Sequence, residues 1–549
     1  MSSIINQLVQ QGVRYFCLAP GSRSTPLALA IAAHSEAQTF IHFDERGLAF
    51  HALGYAKATK QSVAVVVTSG TAVGNLFPAV MEASNDRVPL VLLTADRPPE
   101  LRGCGANQTL DQVKVFGNYV RAYVELPCQN EALSEAYVAS TVAHVLSLAT
   151  CAPQGPVHIN CLFREPFSLE TSQSKPIHYA SCISIPQKST LQEWAQILCR
   201  AKRGVIIVGA LPSYDAYQPL FQLAQDLGWP ILADILSNVR SRGPVIKYYD
   251  LILKAARDLK PDCILHLGNQ LVSKTLLEWL AASKEVPYIA VSDHPLRHDP
   301  QHQITHRLAC DPLLFCTHLL PFITKTASFW MEQWLDYSTQ ITPSLFQTDA
   351  VTEPGIASSL HIKDLSLFIA NSMPIRDCDL FFFPDEGEGS IFANRGVSGI
   401  DGNIATAAGI AQGSKKLTVA LIGDQTALHD LNSLALLKKT KYPVVLVIIN
   451  NHGGGIFSFV PTAKRSPCFE EYFAAAHALS FEKAAQLFDL PYSSPKTQME
   501  WEETFFDALK KKSSCIIEVV TEREANFSLH QHIYAQVKPL CSPTPSAVH

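Results

Sequence analysis

The chain lacks the cysteine patterns that build disulfide frameworks and zinc sites. Its 14 cysteines include no Cys-x-x-Cys pair and no Cys/His cluster with the spacing of zinc ligands. Scattered cysteines of this kind are typical of a reducing compartment, where thiols stay unpaired. The chain also lacks a basic excess, since its formal net charge is -5. Nucleic acid is therefore disfavoured as the main partner, because phosphate recognition needs a basic face.

No stretch of the sequence is apolar over a length that could cross a bilayer. The longest apolar runs, residues 63–67 and 444–449, have the length of strands. The N-terminal segment breaks at Gly12 and lacks the continuous apolar core of a signal peptide. We therefore expect a cytoplasmic protein with no membrane partner.

Two common nucleotide-binding patterns are missing as well. No Gly-Lys pair occurs anywhere in the chain, which excludes a P-loop. No G-x-G-x-x-G follows a strand and opens a helix with an acidic residue suitably downstream, so a dinucleotide site is poorly supported. A phosphate-bearing ligand would need a different kind of site.

At 549 residues the chain is too long for one hydrophobic core, since domains usually hold ~100–200 residues. Short β-branched runs alternate with amphipathic stretches, a pattern typical of parallel sheets covered by helices. Polar stretches at 165–190 and 338–359 indicate linkers. We expect three consecutive α/β domains with doubly wound parallel sheets, at residues 1–170, 185–335 and 355–549.

Short apolar runs predict the buried strands of each domain. The predicted strands are 15–18, 39–43, 63–67 and 90–93, then 204–208, 230–233, 263–267 and 288–292, and finally 380–383, 417–422, 444–449 and 515–520. The sequence contains no short-period repeat and no low-complexity block.

The strongest indication of chemistry lies within residues 423–451. One strand ends at Asp424, a helix is predicted over 426–438, and the next strand ends at Asn451. The two strands of such a βαβ unit lie parallel and adjacent, so Asp424 and Asn451 come close at the edge where α/β proteins bind ligands. A carboxylate, an amide oxygen and a backbone carbonyl freed by the following glycines suit Mg²⁺.

A simpler interpretation of each of these residues is also open. An Asp at a strand end often caps the next helix, and Asn-Asn-His-Gly-Gly forms turns readily. Taken singly, each residue favours that interpretation. The pair at two adjacent strand ends, with glycines that admit a diphosphate, favours a metal and diphosphate site.

Gly-Asp, an intervening helix and Asn-Asn resemble the cofactor motif of the thiamine-diphosphate enzyme superfamily, which includes pyruvate decarboxylase and acetolactate synthase. Gln425 stands where the usual motif has Gly. The resemblance implies thiamine diphosphate held by Mg²⁺, or by Mn²⁺ in its place, with Asp424, Asn451 and the Gly453 carbonyl as metal ligands. It also implies that Gly423 contacts the cofactor.

In this superfamily a glutamate of the N-terminal domain hydrogen-bonds the aminopyrimidine ring of the cofactor and so helps to remove the proton from thiazolium C2. Glu45 occupies the matching place, just after the predicted strand 39–43. A first-turn glutamate that complements the helix dipole is the simpler alternative. Because Glu45 and the metal motif belong to different domains, the resemblance implies a cofactor site at a subunit interface, in a homodimer or a dimer of dimers.

Four longer stretches of sequence indicate which family within this superfamily the chain resembles. They are APGSRSTPL (19–27), TSGTAVGN (68–75), TADRPPEL (94–101) continuing to GANQ (105–108), and NRGVSGIDG (394–402). Together they resemble the 2-succinyl-5-enolpyruvyl-6-hydroxy-3-cyclohexene-1-carboxylate (SEPHCHC) synthases of menaquinone or phylloquinone biosynthesis. The resemblance implies that 2-oxoglutarate is decarboxylated on the cofactor and that the succinyl carbanion equivalent adds to isochorismate. Two dicarboxylate substrates would explain why an acidic chain gathers arginines in its loops.

The resemblance carries over, residue by residue, to a set of site candidates. The candidates for substrate binding are Ser22, Arg23, Arg97, Asn107, Gln108, Lys274, Ser372, Arg376, Arg395, Ile456 and Phe457. The expected catalytic set is Glu45, Arg23, Arg97, Gln108, Arg376 and Arg395, and the expected apolar cofactor contacts are Ile400, Ile456 and Phe457. Thr275 follows Lys274 where some family members have Arg. For any one arginine the simpler alternative is a solvated or ion-paired surface residue.

Two other functions stay open at this point. A different thiamine-diphosphate enzyme, such as a 2-oxo acid decarboxylase or an acetolactate synthase, would act on monocarboxylates and need fewer arginines. A noncatalytic relic of the fold would have lost the glutamate or the metal ligands, whereas this chain keeps candidates for all of them.

Overall fold

The computed structural model describes residues 2–128, 133–165, 177, 185–211, 217–326, 329–384 and 389–541. These residues form three β-sheets with helices between most successive strands, and every pairing between the named strands is parallel. The prediction of three α/β domains with parallel sheets is thus confirmed. Within the described ranges, no helix is both long and apolar enough to cross a membrane.

The first domain is built around a six-stranded sheet. Its strands are β1 (Tyr15–Leu18), β2 (Gln38–Ile41), β3 (Val63–Val67), β4 (Leu90–Asp96), β5 (Tyr123–Leu126) and β6 (Val157–Leu162). Its helices are α1 (Ser2–Gln10), α2 (Thr25–Ala32), α3 (Glu45–Thr59), α4 (Thr71–Gly74), α5 (Phe77–Asn85) and α6 (Glu135–Thr150).

The middle domain has a five-stranded sheet. Its strands are β7 (Gly204–Val208), β8 (Ile231–Ala233), β9 (Cys263–Leu267), β10 (Tyr288–Ser292) and β11 (His306–Ala309). Its helices are α7 (Lys188–Arg200), α8 (Gln218–Leu227), α9 (Tyr249–Ala255), α10 (Lys274–Ala282), α11 (Pro312–Leu319) and α12 (Phe329–Gln340).

The third domain again has six strands. They are β12 (Ser366–Ile369), β13 (Ser390–Phe392), β14 (Thr418–Gly423), β15 (Val444–Asn450), β16 (Tyr492–Ser493) and β17 (Cys515–Val520). Its helices are α13 (Glu353–Ser358), α14 (Met373–Phe381), α15 (Asn403–Ser414), α16 (Asp424–His429), α17 (Leu434–Lys439), α18 (Pro461–Lys464), α19 (Glu482–Leu487), α20 (Gln498–Lys511) and α21 (Arg523–Leu540).

The first and third sheets have the same strand order. The first reads β2-β1-β3-β4-β6-β5 and the third reads β13-β12-β14-β15-β17-β16. In both, the third and fourth strands of the domain are neighbours in the centre of the sheet. Loops that follow these two strands therefore meet at the carboxyl edge, where parallel sheets bind ligands.

The third sheet joins all three domains, because its two faces belong to different cores. Side chains alternate between the faces of a strand. Leu421 packs in a core that includes Trp334 of α12, whereas the next residue, Ile422, packs in a core that includes Phe50 of α3. The third domain thus packs against both of the other two.

Helices α3 and α15 cross at backbone contact, which docks the first domain onto the third. A Cβ atom on Gly54 would lie 2.1 Å from the Thr406 carbonyl oxygen, and one on Gly409 would lie 2.0 Å from the His51 carbonyl oxygen. Only glycine permits so close an approach of two backbones. A larger side chain at either position would push the helices apart.

The structure corrects three predictions. Residues 380–383 are not a strand, because they include the end of α14, and a short buried apolar run does not distinguish a strand from a buried helix. The stretch 338–359 is not simply a linker, since α12 ends and α13 forms within it. The predicted helix 426–438 is interrupted, because α16 ends at His429 and a 3-10 turn precedes α17.

Six strands have no counterpart in the sequence prediction. They are β5, β6, β11, β12, β13 and β16. Most are short, and β6 carries the buried polar residues His158 and Asn160, so an apolar run does not mark it. Most of the predicted linker 165–190 lies outside the described residues.

Candidate active site

The metal motif lies at the carboxyl ends of β14 and β15, which pair in parallel over their length. Asp424 and Asn451 follow directly after these strands. The Asp424 carboxylate accepts hydrogen bonds from the backbone N–H groups of Gln425 and Gly453, at 2.6 and 2.8 Å. The close approach of the two strand ends that the sequence predicted is therefore present. We call Asp424, Asn451 and Gly453 the metal edge.

The donor atoms of the metal edge fit a hard cation. Asn451 is 8% exposed, and its side-chain oxygen Oδ1 has no hydrogen-bond partner among the described residues. Asp424 is buried, and burial raises the pKa of its carboxyl above the usual value. A bound cation would satisfy the amide oxygen and offset the buried negative charge. With the Gly453 carbonyl, the set of oxygen donors suits Mg²⁺.

Gly423 leaves room beside these donors. Nothing lies within 4 Å of the position that a Cβ atom on Gly423 would take. Gly453 has a φ of 145°, which side-chain-bearing residues rarely adopt. A diphosphate group could therefore approach the backbone here. In the described part of the chain, no cluster of three or more His, Cys, Asp or Glu side chains could hold a metal ion.

Two residues that the sequence did not single out hold the metal edge in place. Glu353 accepts a hydrogen bond from Asn451 Nδ2 at 3.1 Å. Arg523 donates to the Asn451 carbonyl oxygen at 3.1 Å. Gln425, which replaces the Gly of the usual motif, donates to the Ala474 carbonyl at 2.7 Å. No local pattern marks Glu353 or Arg523, because both reach the metal edge from remote parts of the chain.

Glu353 belongs to a buried acidic group behind the metal edge. It is 1% exposed, and burial, followed by the charge of Asp377, raises its pKa to about 8. His530 Nε2 lies 3.1 Å from Asp377 Oδ1, and both side chains are buried. Together with Asp424, this group places an excess of acidic side chains next to the candidate metal position.

The arginines predicted in the first domain form a buried cluster. Arg23 and Arg97 are both buried, and burial, followed by the charge of Arg23, lowers the pKa of Arg97. Arg97 Nη1 donates to Ser69 Oγ, and Gln108 Nε2 donates to the Ser69 carbonyl at 3.0 Å. The exposed carboxylate of Glu165 lies 3.1 Å from Arg23. We call Arg23, Arg97, Gln108 and Ser69 the first-domain cluster, and its two neighbouring cations suit an anionic ligand.

The other candidates of this domain lie on exposed backbone. Ser22 and Asn107 are exposed, and the Ser22 carbonyl accepts a hydrogen bond from the Thr25 hydroxyl at 2.7 Å. Gln108 is also exposed and has a φ of 55°. Their side chains are therefore accessible to a ligand at the first-domain cluster.

Glu45 begins helix α3 but does not cap it. The cap is Asp44, whose side chain accepts from the N–H groups of Arg46 and Gly47 at 3.0 and 3.3 Å. The half-buried Glu45 carboxylate has no hydrogen bond or ion pair with any other residue that the structure describes. A ligand can therefore use it without breaking a contact of the helix.

In the third domain, Arg376 lines a cavity of about 630 Å³ together with Lys274 and Ile456. Arg376 and Arg395 donate hydrogen bonds to the adjacent residues Ser372 and Asn371. Burial, followed by the charge of Arg395, lowers the pKa of Arg376. Arg376 Nη1 donates to the carbonyl of Ser372, which has a φ of 71°. We call Arg376 and Arg395 the third-domain pair.

Lys274 lies in this cavity wall but is held loosely. Its side chain is 86% exposed, and its ammonium lies 3.4 Å from Glu278 on the same helix. Ile400 and Phe457 are half-buried, and the Phe457 ring lies 5.9 Å from that of Phe473. Neither lines the cavity that contains Arg376.

Arg395 is positioned from two sides. Its Nη1 donates to Asn371 Oδ1 at 2.7 Å. Lys57 of α3 donates to Asn394 Oδ1 at 2.9 Å, and Glu82 of α5 accepts from the N–H groups of the two residues after Arg395 at 2.8 and 2.7 Å. The first domain thus fixes the loop of the third domain that carries Arg395.

The arginines of the two groups have hydrogen-bond partners in different domains. The hydrogen bonds of Arg97 stay inside the first domain, and those of Arg376 and Arg395 stay inside the third. None of these hydrogen bonds links the first-domain cluster to the third-domain pair.

Family models of thiamine pyrophosphate (thiamine diphosphate) enzymes match the chain in three parts. The thiamine pyrophosphate enzyme N-terminal TPP binding domain matches residues 1–115, a middle domain of thiamine pyrophosphate enzymes matches 170–369, and the C-terminal TPP binding domain matches 382–519.

Relatives of known name match almost the whole chain. The 2-succinyl-5-enolpyruvyl-6-hydroxy-3-cyclohexene-1-carboxylate synthase of Rubrobacter xylanophilus is 42% identical and covers 96% of this chain and 96% of its own length. The chain belongs to the SEPHCHC synthase family. A second family member, from Salinibacter ruber, is 39% identical over 97% of this chain and 95% of its own length. The protein PHYLLO of Arabidopsis thaliana, named as chloroplastic, is 35% identical over 96% of this chain but only 34% of its own length.

Membership of the SEPHCHC synthase family makes the chain a thiamine-diphosphate-dependent enzyme, in agreement with the resemblance found in the motifs. A solved structure shows the same fold at low identity. Benzoylformate decarboxylase from Polynucleobacter necessarius superimposes with a TM-score of 0.75 at 16% identity, over 95% of this chain and 98% of that one.

Proposed function

We propose that the chain catalyses the Mg²⁺- and thiamine-diphosphate-dependent decarboxylation of 2-oxoglutarate and the addition of the resulting succinyl unit to isochorismate, with release of CO₂. The observation that carries this proposal is the presence of two arginine groups, the first-domain cluster and the third-domain pair. Arginine pairs bidentately with carboxylates and stays charged when it is desolvated. Two substrates with two carboxylates each would occupy such groups, whereas a monocarboxylate would leave buried positive charge unpaired.

The metal edge would hold Mg²⁺ through the Asp424 carboxylate, Asn451 Oδ1 and the Gly453 carbonyl, with diphosphate oxygens and water completing the coordination. Bound thiamine diphosphate supplies the electron sink that accepts the charge left by decarboxylation. Gly423 lets the backbone approach the diphosphate. Ile400, Ile456 and Phe457 form the apolar contacts that we assign to the thiazolium side.

Substrate binding divides between the two outer domains. The guanidinium groups of Arg23, Arg97, Arg376 and Arg395 orient substrate carboxylates. Ser22, Asn107, Gln108 and Ser372 supply hydrogen bonds around them, and Lys274 adds a mobile positive charge at the mouth of the cavity. These assignments agree with the burial of Arg23 and Arg97 and with the partial burial of Arg376 and Arg395. They also agree with the exposure of Ser22, Asn107, Gln108 and Lys274.

Glu45 acts, in this proposal, as the carboxyl that hydrogen-bonds the aminopyrimidine ring and exchanges a proton with it. Glu45 and the metal edge belong to different domains, so we place the complete site between two subunits of a homodimer, alone or within a tetramer. The cytoplasmic location expected from the cysteines stays a prediction.

The variant Glu45→Gln tests the catalytic assignment. It should still bind thiamine diphosphate with Mg²⁺, but its release of CO₂ from 2-oxoglutarate with isochorismate present should fall by at least about 100-fold, the size of a lost general acid–base step. Glu36→Gln is the matched control, since Glu36 is an exposed acid of the same domain that pairs with Arg14 on the surface. Full activity of Glu45→Gln would refute the role. Turnover of pyruvate but not of 2-oxoglutarate would favour an acetolactate synthase-like enzyme instead.

Mixed dimers test the position of the site. When Glu45→Gln and Asp424→Ala subunits are refolded together, a site between subunits leaves one intact site in each mixed dimer. About a quarter of the wild-type activity should then return, because half of the dimers are mixed and each has one working site. No recovery on mixing would place the whole site within one subunit.

A further inference from the structure

The side-chain amide of Asn451 has two chemically different ends, and only one can bind a cation. Its oxygen is an acceptor with free lone pairs, whereas its NH₂ group is a donor. If the amide were turned by half a rotation, two hydrogens would face the cation. The predicted ligand therefore works only when something fixes its orientation.

Glu353 provides such a constraint. Its Oε1 accepts a hydrogen bond from Asn451 Nδ2 at 3.1 Å and another from Thr521 Oγ1 at 3.0 Å. Thr521 follows β17, and its N–H donates to the Asn450 carbonyl at 3.0 Å, so the acceptor is held against the same sheet edge. Because Oε1 can only accept from the amide, the NH₂ end turns toward Glu353. Asn451 Oδ1 then points away from Glu353 and lies buried with no hydrogen-bond partner among the described residues.

Glu353 reaches Asn451 from a helix that is remote from it in the sequence. Glu353 is the first residue of α13, a six-residue helix capped by the Thr352 side chain, which accepts from the Gly355 N–H at 3.0 Å. It is 1% exposed, and its second oxygen, Oε2, has no hydrogen-bond partner in the described part of the chain. Leaving a buried carboxyl oxygen without a hydrogen bond costs free energy.

We propose that Glu353 is a positioning residue, which fixes the Asn451 amide so that its oxygen faces the cation of the metal edge. This inference rests on the proposed cofactor site and adds to it a second layer of contacts behind the ligand. Such outer contacts orient ligands in many metal sites and commonly change metal affinity by about 10- to 100-fold when they are removed. The role needs only an acceptor at Oε1, which is present whether or not Oε2 carries a proton.

Three variants test whether Glu353 acts by orienting the Asn451 amide, by its negative charge or only by packing. Glu353→Met removes the acceptor at similar size, and Glu353→Gln keeps a carbonyl acceptor without the charge. Thr521→Val is the matched control, because it removes the other hydrogen bond of Glu353 and leaves the one to Asn451 intact. The measurement is the Mg²⁺ concentration that half-saturates thiamine-diphosphate binding to the full-length apoprotein by calorimetry, with the apoprotein melting temperature as a check on folding.

We expect Glu353→Met to raise the half-saturating Mg²⁺ concentration about 10- to 100-fold. Glu353→Gln should restore it to within about threefold of the wild type, and Thr521→Val should change it less still. If Glu353→Gln is as weak as Glu353→Met, the carboxylate acts by charge and the orientation role is wrong. If both bind Mg²⁺ as the wild type does, Glu353 is only a packing residue.

Repeating the test in the Asn451→Asp variant shows whether the effect of Glu353 depends on the orientation of the Asn451 amide. In Asn451→Asp both ends of the side chain are oxygens, so its orientation no longer matters. Adding Glu353→Met to Asn451→Asp should therefore not weaken Mg²⁺ binding further. An equal loss in both backgrounds would overturn the inference. If the wild type binds thiamine diphosphate without any need for Mg²⁺, the proposed function fails as well, whereas a normal wild type with unaffected Glu353 variants overturns this inference alone.

Discussion

The first and third sheets of this enzyme have the same strand order but opposite chemistry at the same edge. After the third strand of the domain, the first sheet presents Ser69 and the third sheet presents Asp424. After the fourth strand, the first sheet presents Arg97 and the third presents Asn451. One edge thus carries buried cations, and the other carries oxygen donors that suit a cation.

The comparison shows that the strand order determines where a binding site forms, whereas the side chains in the loops determine what it binds. The order of the strands fixes where two loops meet, because the carboxyl ends of neighbouring parallel strands share one edge. The residues in the loops determine whether the ligand that binds there carries a positive or a negative charge. The two edges are complementary, since a metal–diphosphate and a carboxylate substrate must be held next to each other for the proposed reaction.

The largest effect is expected at the metal edge. Asp424→Ala should weaken Mg²⁺-dependent binding of thiamine diphosphate by at least about 100-fold, because it removes a direct ligand rather than a supporting contact. Calorimetry of the apoprotein with cofactor and Mg²⁺ measures this. Asp489→Asn is the control, as Asp489 is an exposed acid of the same domain paired with Lys438. Normal cofactor binding by Asp424→Ala would contradict the assignment of the metal ligands to the edge of the third sheet.

A smaller effect is expected at the first-domain cluster, on substrate turnover rather than on cofactor binding. Arg97→Met should lower kcat/KM for the dicarboxylate substrates by about 10- to 100-fold, the value of one or two charge-assisted hydrogen bonds. The affinity for thiamine diphosphate and Mg²⁺ should stay unchanged. Steady-state kinetics and calorimetry report the two quantities, and Arg14→Met, an exposed arginine of the same domain, is the control. A parallel loss of cofactor affinity would mean that both edges hold the cofactor.

The smallest effect concerns pH. His158 of β6 is fully buried, and burial lowers its pKa from 6.5 to about 3, whereas the matching second residue of β17 is Ile516. His158 Nε2 pairs with Thr94 Oγ1 at 2.7 Å, and Nδ1 has no partner in the described residues. As the pH falls below 6.5, the unfolded chain gains a proton that the folded protein excludes, so one such group destabilises the fold by up to about 1.4 kcal/mol per pH unit.

His158→Leu should therefore reduce the drop in melting temperature between pH 7 and pH 5, compared with the wild type. His532→Leu, at an exposed position of α21, should leave that drop unchanged. A variant of His158 that is as sensitive to acid as the wild type would contradict the assignment of this sensitivity to the first sheet.

Sequence patterns predicted the parts of the site that lie next to one another along a βαβ unit. Asp424 and Asn451 could be found because a strand, a helix and a strand place their ends together by rule. Arg23, Arg97 and Arg395 could be predicted because they lie inside long, unusual stretches of sequence. Both kinds of signal are local in the chain.

The parts that could not be predicted depend on contacts between remote segments. Glu353 lies in a stretch that was expected to be a linker, and only the fold brings it to Asn451. Lys57 and Glu82 support the loop of Arg395 from another domain. The shared strand order of the outer domains leaves no repeat in the sequence, because many apolar residues can fill equivalent positions in a sheet.

The central place of the third sheet has a consequence for how the protein is made. Synthesis proceeds from the N-terminus, so the domain that joins the other two is completed last. The face of α3 around Gly54 stays uncovered until the chain has been made as far as Gly409. The core around Trp334 likewise waits for Leu421. A newly made first domain therefore leaves the ribosome with an unfinished apolar surface, and a chain cut short before the third sheet would keep two such surfaces open to aggregation.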